Sequence, residues 1–503
     1  MAGTGLITKA EHDAIVAQHT DRIEYLKHQV EKLKHMLWGR RSEKQVIPPG
    51  APFQSELFTE AEYEVEKPRE DEPPARRRKR RKSKPRFSED VQREIKDIEL
   101  AEHDRQCEAC GKVMEDIGYE SSERAHVVPA QVVVHETRRH KYACGCKAGG
   151  VRLAPTKATA FPKARVTDEA RAHFLVQKFV DHCPYYRQSA ILSRSGVEIS
   201  DRTLCHYGIE AADRLAPIVV AMRDELLACA ALQADETTLP VLKTEKAKPG
   251  AHRGYLWAYA DARGSIVFDY CRTRSGDHPR GFLDGYRGIL QTDRYEGYEG
   301  IRRRDGIIDV ACWAHARRRF LEASKVSPRR TKPVLDLVQK LYGVEKRARE
   351  AQLAPADRAR LRREHSLPVL RELKALLDEM VVTVRPSTPL GVVVGYALNH
   401  WRAFIEYVNH GEVEIDSNLI ENSIRPIALG RKNYLFAGSE LGAEAAAIVY
   451  SLTETCRRLR ISPQDYLVDV FRRLAVLDPT NPEEIRALTP ARWKAARQAN
   501  ASS

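Results

Sequence analysis

The sequence predicts a multidomain α+β protein, in which an N-terminal coiled coil and a zinc ribbon precede an α/β mixed-sheet core with a helical insertion. Three observations predict this class. Apolar residues repeat every seven positions near the N-terminus, four cysteines cluster in two pairs, and strand-like and helix-like segments alternate from residue 227 onward. The chain has 503 residues, enough for roughly three domains of ~100–200 residues each.

The charge balance indicates a polyanionic partner. The net charge of +13 favours nucleic acid or an anionic membrane surface. The opening "MAGTGLITKAEHD" lacks the cationic-then-apolar order of a signal peptide. The longest apolar runs, "LLACAALQA" and "LGVVVGYAL", are about half the ~20 residues that span a bilayer. We therefore expect a cytoplasmic protein that does not bind membranes.

Residues 10–40 are predicted to form a coiled-coil helix. A seven-residue apolar repeat with the alternate spacing of three and four is typical of a coiled-coil seam, which would pair two copies of the chain. The alternative is an amphipathic helix packed on its own chain. The repeat consists of Val16, Ile23, Leu26, Val30, Leu33 and Leu37.

Residues 41–98 have the composition of a disordered linker, acidic first and then basic. The basic block "RRRKRRKSKPR" carries nine cations in eleven residues and should bind phosphate backbones by releasing counterions. The alternative is a solvated tail neutralised by the acidic part. The candidate DNA contacts are Arg76, Arg77, Arg78, Lys79, Arg80 and Arg81.

Residues 99–150 contain two cysteine pairs, Cys107 with Cys110 and Cys144 with Cys146. Two pairs on glycine-containing turns supply the four thiolates of a tetrahedral zinc site, so this region is predicted to be a zinc ribbon. His140 is a substitute ligand, and four unrelated buried thiols are the alternative. A Zn²⁺ ion with all positions filled is structural and does no chemistry.

Residues 160–225 are predicted to be helical, with the spacing of a helix–turn–helix motif in "YYRQSAILSRSGVEISDRTLCHYG". Gly196 would lie in the turn, and Ser200 would cap a second helix that presents Arg202 to DNA. Plain helix packing is an equally good interpretation.

Residues 226–325 should form the first part of the core. The strand-like run "LACAALQA" ends at Asp235, a hairpin of two strands follows, and "GILQTD" ends at Asp293. If the first and fourth strands pair in parallel, the two carboxylates meet at one sheet edge, where they repel unless a divalent cation lies between them. Glu236 would point to the opposite face, so it is not counted as a ligand.

A third acid is expected after a helical insertion at residues 326–400. In the core completion, residues 401–460, Asn418, Glu421 and Arg425 share one helix face, and Glu421 would close the site. Residues 461–503 should form a helical tail. Several cationic side chains near the acids are candidate phosphate contacts, with solvation or local ion pairs as the alternative. They are His315, Arg317, Arg318, Arg425, Arg431 and Lys432.

The order of these segments, with "ADET", "TDRYEGY", "CWAHARRRF" and "ENSIRPIALGRKNYLFAGS", resembles the IS66-type transposases of bacterial insertion sequences over nearly the whole chain. The resemblance implies an RNase H-like core with a DDE triad at Asp235, Asp293 and Glu421. It implies two catalytic Mg²⁺ ions that serve cleavage and strand transfer on double-stranded DNA. It also implies a homodimer or higher oligomer, small accessory proteins and a place at the bacterial nucleoid.

Two other classes of function stay open at this point. A non-catalytic DNA-binding regulator would need only the zipper, the basic block, the ribbon and the helix–turn–helix. A metal-dependent DNA nuclease would use the same core. No glycine-rich nucleotide loop, GxSxG elbow or Cys–His pair stands out in the sequence, which disfavours those enzyme classes.

Overall fold

The structure is a computed structural model that describes residues 112, 131–143, 151–156, 158–162, 164–242, 251–478 and 480–502. The predicted coiled coil, the linker with its basic block and the four cysteines of the predicted ribbon lie outside the described residues, so these remain predictions. Two short strands pair antiparallel, β1 (Lys141–Ala143) inside the predicted ribbon region and β2 (Val151–Leu153) directly after it.

Three helices come next, namely α1 (Asp168–Phe179), α2 (Tyr185–Arg194) and α3 (Asp201–Leu227). The predicted cap of α3 is present, because the Ser200 hydroxyl accepts a hydrogen bond from the Thr203 backbone N–H at 3.2 Å. Gly196, in the turn between α2 and α3, has a φ of +80°, a conformation that glycine adopts without strain.

The centre of the fold is a five-stranded mixed sheet. In space the strands run in the order β5, β4, β3, β6, β7. β4 pairs antiparallel with β5 on one side and with β3 on the other. β6 pairs parallel with β3 and with β7. The strands are β3 (Ala231–Leu242), β4 (Ala251–Ala260), β5 (Ile266–Cys271), β6 (Gly288–Thr292) and β7 (Ile307–Ala311).

The expected end of the first strand at Asp235 is wrong, because β3 continues seven residues further, to Leu242. Backbone pairing with β4 accounts for this length. The register runs without a break from Gln233 opposite Ala260 to Leu242 opposite Ala251. Asp235 therefore lies inside a strand that is held along its length, whereas Asp293 follows directly after β6 as predicted.

Helices occupy most of the rest of the described chain. Between the strands and directly after β7 lie α4 (Asp277–Phe282), α5 (Glu299–Arg302) and α6 (Trp313–Ser324). The later helices are α7 (Pro328–Glu350), α8 (Pro355–Thr383), α9 (Pro389–Asn399), α10 (Trp401–Glu406), α11 (Asn418–Tyr434), α12 (Glu440–Arg458), α13 (Pro463–Leu474), α14 (Pro482–Arg486) and α15 (Pro490–Ser502). None of the helices in the described ranges is long and apolar enough to cross a membrane.

Two apolar cores hold these elements together. The larger core packs α1, α3 and α12 against the sheet and includes the buried rings of Trp257 and Tyr259. The second core packs α6 to α10 against β7. Within it the buried Arg362 on α8 binds Glu345 on α7 through two hydrogen bonds of 2.7 and 2.8 Å. The same guanidinium donates to three backbone carbonyls in residues 407–413, which lead to α11.

Candidate active site

Two buried glutamines connect the strands that carry the candidate aspartates. Gln233 on β3 is level with Gln291 on β6 in the parallel register, and the Gln233 Nε2 donates to the Gln291 Oε1 at 2.7 Å. Side chains two positions apart on a strand point to the same face. Asp235 and Asp293 each stand two residues after one of these glutamines. The amide pair therefore lies two residues before each acid, on neighbouring parallel strands.

The same two amides hold the segment that leads into α11. The Gln233 Nε2 donates to the Asp416 carbonyl at 3.0 Å, and the Gln233 Oε1 accepts the Ile420 backbone N–H at 3.3 Å. The Gln291 Nε2 donates to the Glu414 carbonyl at 2.9 Å. We call Gln233, Gln291 and the bonds they make the amide clamp. It connects the start of the Glu421 helix to both aspartate strands.

Helix α11 is attached to β3 at two further points. The Arg431 guanidinium binds the Thr238 carbonyl and, at 2.5 Å, the Thr238 hydroxyl. Beyond the helix, the Ala437 N–H donates to the Pro240 carbonyl at 2.8 Å, and the Ala437 carbonyl accepts the Leu242 N–H at 3.0 Å. These contacts make α11 run beside β3, so that Glu421 lies near Asp235.

The acids influence one another electrostatically. The pKa of Asp235 is raised well above its usual range, first by burial and then by the charges of Glu236, Asp293 and Glu421, while His315 acts in the opposite direction. A carboxyl in such a field is costly to ionise unless a cation is added. The charge distribution, with only oxygen donors from the three acids, is therefore suited to a hard divalent cation.

The Glu421 carboxylate contacts Arg318 and His315 on α6 and Ser417 at the start of its own helix. Its Oε2 receives the Arg318 Nη2 at 3.1 Å, and its Oε1 receives the Ser417 hydroxyl at 3.2 Å. The His315 Nδ1 lies 3.5 Å from the same Oε1. Among the described residues, one set of three metal-ligating atoms lies within 4.8 Å of one another, and it joins Glu421 to Cys312 and His315 rather than to the aspartates. Glu421 must therefore turn before all three acids bind one ion.

The structure also places the remaining candidate phosphate contacts. Arg202 is exposed on the first turn of α3. Arg317 and Arg425 are half-buried, on α6 and α11, and Lys432 is exposed near the end of α11. Burial lowers the pKa of Arg431, whose guanidinium is engaged with Thr238 as described above. Phosphate binding by each of these residues stays a prediction.

Glu236, next to Asp235 on β3, is bonded to a cation and a hydroxyl. Its side chain is 3% exposed; it pairs with Arg274 and accepts the Tyr298 hydroxyl at 3.2 Å. The Arg274 guanidinium also stacks on Tyr295, 3.7 Å from the ring centroid. The pKa of Glu236 is raised, mainly by burial and then by the charge of Asp293, and Arg274 partly offsets this shift. Its carboxylate therefore has partners of its own, and its exclusion as a ligand stays a prediction.

Sequence reasoning missed three features of the site. The amide clamp was missed although a signal exists, because "LQAD" and "LQTD" repeat Leu-Gln-x-Asp on two different strands. Arg294, directly after Asp293, was missed as well. It adopts a φ of +72°, and its buried guanidinium binds Asp309 and lies 3.2 Å from the His400 Nδ1. Asp416 is the third, a buried acid whose pKa burial raises to about 6.

Comparison with protein families gives a consistent result over most of the chain. Residues 163–445 match the model described as Transposase IS66 family, and residues 451–491 match the IS66 C-terminal element. Residues 104–147, which include all four clustered cysteines, match the zinc-finger binding domain of transposase IS66. Residues 25–95 match a model described as Transposase C of IS166 homeodomain.

Three similar proteins come from Sinorhizobium fredii, and each is described as uncharacterized. The protein y4jD is 31% identical over 422 residues, which cover 79% of this chain and 80% of the relative. The protein y4hP is 30% identical over 509 residues, covering 93% and 89%. The protein y4qI is 33% identical over 406 residues, covering 77% and 73%.

Replacing Gln233 by leucine tests the amide clamp. The substitution leaves the Asp416 carbonyl, the Ile420 N–H and the Gln291 amide buried without this partner, so we expect the free energy of unfolding to fall by about 1–3 kcal/mol. Urea denaturation of the full chain measures the loss. Gln339→Leu, at an exposed position of α7, is the control and should change little. Equal stability of Gln233→Leu and wild type would show that the clamp contributes nothing.

Replacing Asp235 by asparagine tests the repulsion among the acids. Because the folded-state pKa of Asp235 lies above the unfolded value, the folded state binds more protons, and stability falls as pH rises from about 4 through the raised pKa. In metal-free buffer at pH 8, Asp235→Asn should therefore raise the free energy of unfolding by on the order of 1 kcal/mol. Thermal melts measure this as a higher melting temperature, and the gain should be smaller near pH 4. Asp305→Asn, at an exposed loop position, is the control. An unchanged pH profile would contradict the raised pKa.

Proposed function

The chain belongs to the IS66 transposase family, and from that membership we propose that it cleaves and joins DNA at the ends of an insertion sequence, with Asp235, Asp293 and Glu421 as its catalytic acids. The observation that carries this proposal is the amide clamp. It connects β3, the last residues of β6 and the start of α11, where the charges of Asp293 and Glu421 act on Asp235. A DNA-binding regulator has no need of such a costly arrangement.

We assign an RNase H-like architecture to the core, formed by residues 226–325 and 401–460 around the helical insertion at 326–400. Three features support the assignment. In chain order the sheet has three antiparallel strands, β3 to β5, followed by two parallel ones, β6 and β7. Asp235 lies on β3 and Asp293 follows β6. The later helix α11 contributes Glu421. Because β3 and β6 run parallel, Asp235 and Asp293 come at corresponding positions along neighbouring strands.

The three acids would hold two Mg²⁺ ions. When bound, these ions activate the attacking water or DNA 3′-hydroxyl and stabilise the leaving oxygen of an in-line displacement. An all-oxygen donor set fits Mg²⁺, and the raised pKa of Asp235 reflects a site rich in negative charge. Asp235 and Asp293 are pre-positioned by their strands, whereas Glu421 has to exchange its contact with Arg318 for the ions.

The protein's cations have the task of holding DNA. In this proposal, Arg318 exchanges Glu421 for a phosphate oxygen when the acid turns to the metal ions, and His315 stands beside it on α6. Contacts of this kind position the DNA without reading its sequence. Further phosphate contacts would come from Arg317, Arg425, Arg431 and Lys432, and from Arg202 in the helical region.

The N-terminal regions would recognise and pair the element ends. We propose that Cys107, Cys110, Cys144 and Cys146 hold a structural Zn²⁺, in keeping with the zinc-finger match over residues 104–147. The basic block that begins at Arg76 would bind phosphate backbones in bacterial nucleoid DNA. The coiled coil at residues 10–40 would join two copies of the chain, so that two ends are held together, with small accessory proteins as further partners.

Neutralising the acids one at a time tests the proposed reaction. Asp235→Asn, Asp293→Asn and Glu421→Gln each remove a charged ligand, so Mg²⁺-dependent cleavage should fall at least about 10³-fold while DNA binding persists. The measurement is cleavage and strand transfer on labelled DNA that carries the element's own ends. Glu322→Gln, at an exposed position of the neighbouring α6, is the control and should cut like wild type. Normal cutting by both aspartate variants would show that the triad is wrong.

A further inference from the structure

A thiol, an imidazole and a carboxylate meet next to the proposed catalytic acids. Cys312 is the last residue before α6, His315 lies one turn further along that helix, and Glu421 comes from α11. One ligand atom from each lies within 4.8 Å of the other two. The sulfur is buried, and the other two side chains are each 17% exposed. The three groups converge from two separate parts of the chain, with little solvent between them.

The geometry is near that of a tetrahedral metal centre. Bonds of ~2.0–2.3 Å to zinc place neighbouring ligand atoms roughly 3.3–3.6 Å apart. The His315 Nδ1 and the Glu421 Oε1 are already separated by 3.5 Å. Only the sulfur has to approach, by about 1 Å or less from the 4.8 Å limit of the cluster.

The unoccupied bonding capacity of the His315 Nδ1 points to a ligand. The His315 Nδ1 is shielded from solvent and makes no hydrogen bond among the described residues, which is uncommon for a buried ring nitrogen. The Cys312 Sγ already accepts a hydrogen bond, from the Ser417 N–H at 3.2 Å, as metal-bound sulfur commonly does. The donor set combines sulfur, nitrogen and oxygen, which suits Zn²⁺ and does not suit Mg²⁺.

We propose that Cys312, His315 and Glu421 form a Zn²⁺ site, and that Zn²⁺ bound there inhibits the enzyme by keeping Glu421 away from Asp235 and Asp293. Binding replaces the S–H bond of Cys312 by a sulfur–zinc bond and releases the proton to the buffer. The Zn²⁺ site stands on its own geometry, whereas the inhibition rests on the proposed function. Zn²⁺ and Mg²⁺ would then compete for one shared carboxylate.

The charges around the cluster are compatible with an added cation. Arg318 lies at the second oxygen of Glu421, at 3.1 Å, which leaves Oε1 to face the cluster. The charges of His315 and Glu421 both act on Asp235, so a further carboxylate stands near the cluster. A water molecule would complete four-coordination, the usual number for zinc.

Cobalt absorption tests the site without reference to catalysis. Mg²⁺ and any Zn²⁺ bound outside the predicted ribbon are first removed from the full chain with a chelator. Co²⁺ is then titrated in, and the sulfur-to-cobalt charge-transfer band is recorded. Wild type should show a band that Cys312→Ser lacks, and His315→Ala should bind at least about tenfold more weakly. Cys456→Ser removes another buried thiol, on α12, and should keep the band. Co²⁺ that replaces Zn²⁺ at the predicted ribbon would add the same absorption to all four proteins, so it does not affect the difference between them.

No band in wild type, or an equal band in Cys312→Ser, would overturn the site. The inhibitory role is tested separately, by the ratio of Mg²⁺-dependent cleavage with and without micromolar-buffered Zn²⁺ in each protein. Zn²⁺ should suppress cleavage by wild type and by Cys456→Ser, but not by Cys312→Ser. Equal suppression in all three would overturn the inhibition. If wild type cut no DNA with Mg²⁺, the proposed function would fail, while the cobalt result would still decide the site.

Discussion

One hydrogen bond between two buried amides, Gln233 and Gln291, holds the site together. The same two amides also donate to the Asp416 and Glu414 carbonyls and accept the Ile420 N–H. A buried amide that lost any of these partners would be left unsatisfied, so the bonds strongly specify one arrangement. Two strands and a helix that are far apart in the sequence thereby acquire a fixed relation.

Several arginines, rather than one, reduce the electrostatic repulsion among the clustered acids. Arg274 pairs with Glu236, and Arg318 pairs with Glu421. Burial of His400, together with the charge of Arg294, lowers the pKa of that imidazole to about 4 and keeps it neutral at physiological pH. The pKa of Asp235 is raised well above its usual range, since burial and its acidic neighbours both disfavour its charge. In this account the metal ions neutralise the negative charge around Asp235 that the protein's own cations leave unpaired.

Local patterns predicted much of the core. The antiparallel hairpin of β4 and β5, the position of Asp293 after its strand and the helix that carries Glu421 all follow from periodicity and capping in short windows. What escaped prediction depends on contacts between distant segments. The extension of β3 beyond Asp235 needs its long pairing with β4, and the bond from Arg431 to Thr238 needs α11 to lie beside β3. No window of sequence shows which polar side chain will be buried against which backbone carbonyl.

The most direct test of the central claim is a crystal structure with Mn²⁺ and a DNA end, in which anomalous scattering locates the ions. Mn²⁺ takes the oxygen ligands that suit Mg²⁺ and scatters strongly enough to be identified. The account predicts Mn²⁺ between Asp235 and Asp293, with Glu421 turned from Arg318 to the metal. Mn²⁺ absent from the two aspartates, or bound there while Glu421 stays on Arg318 and His315, would contradict it.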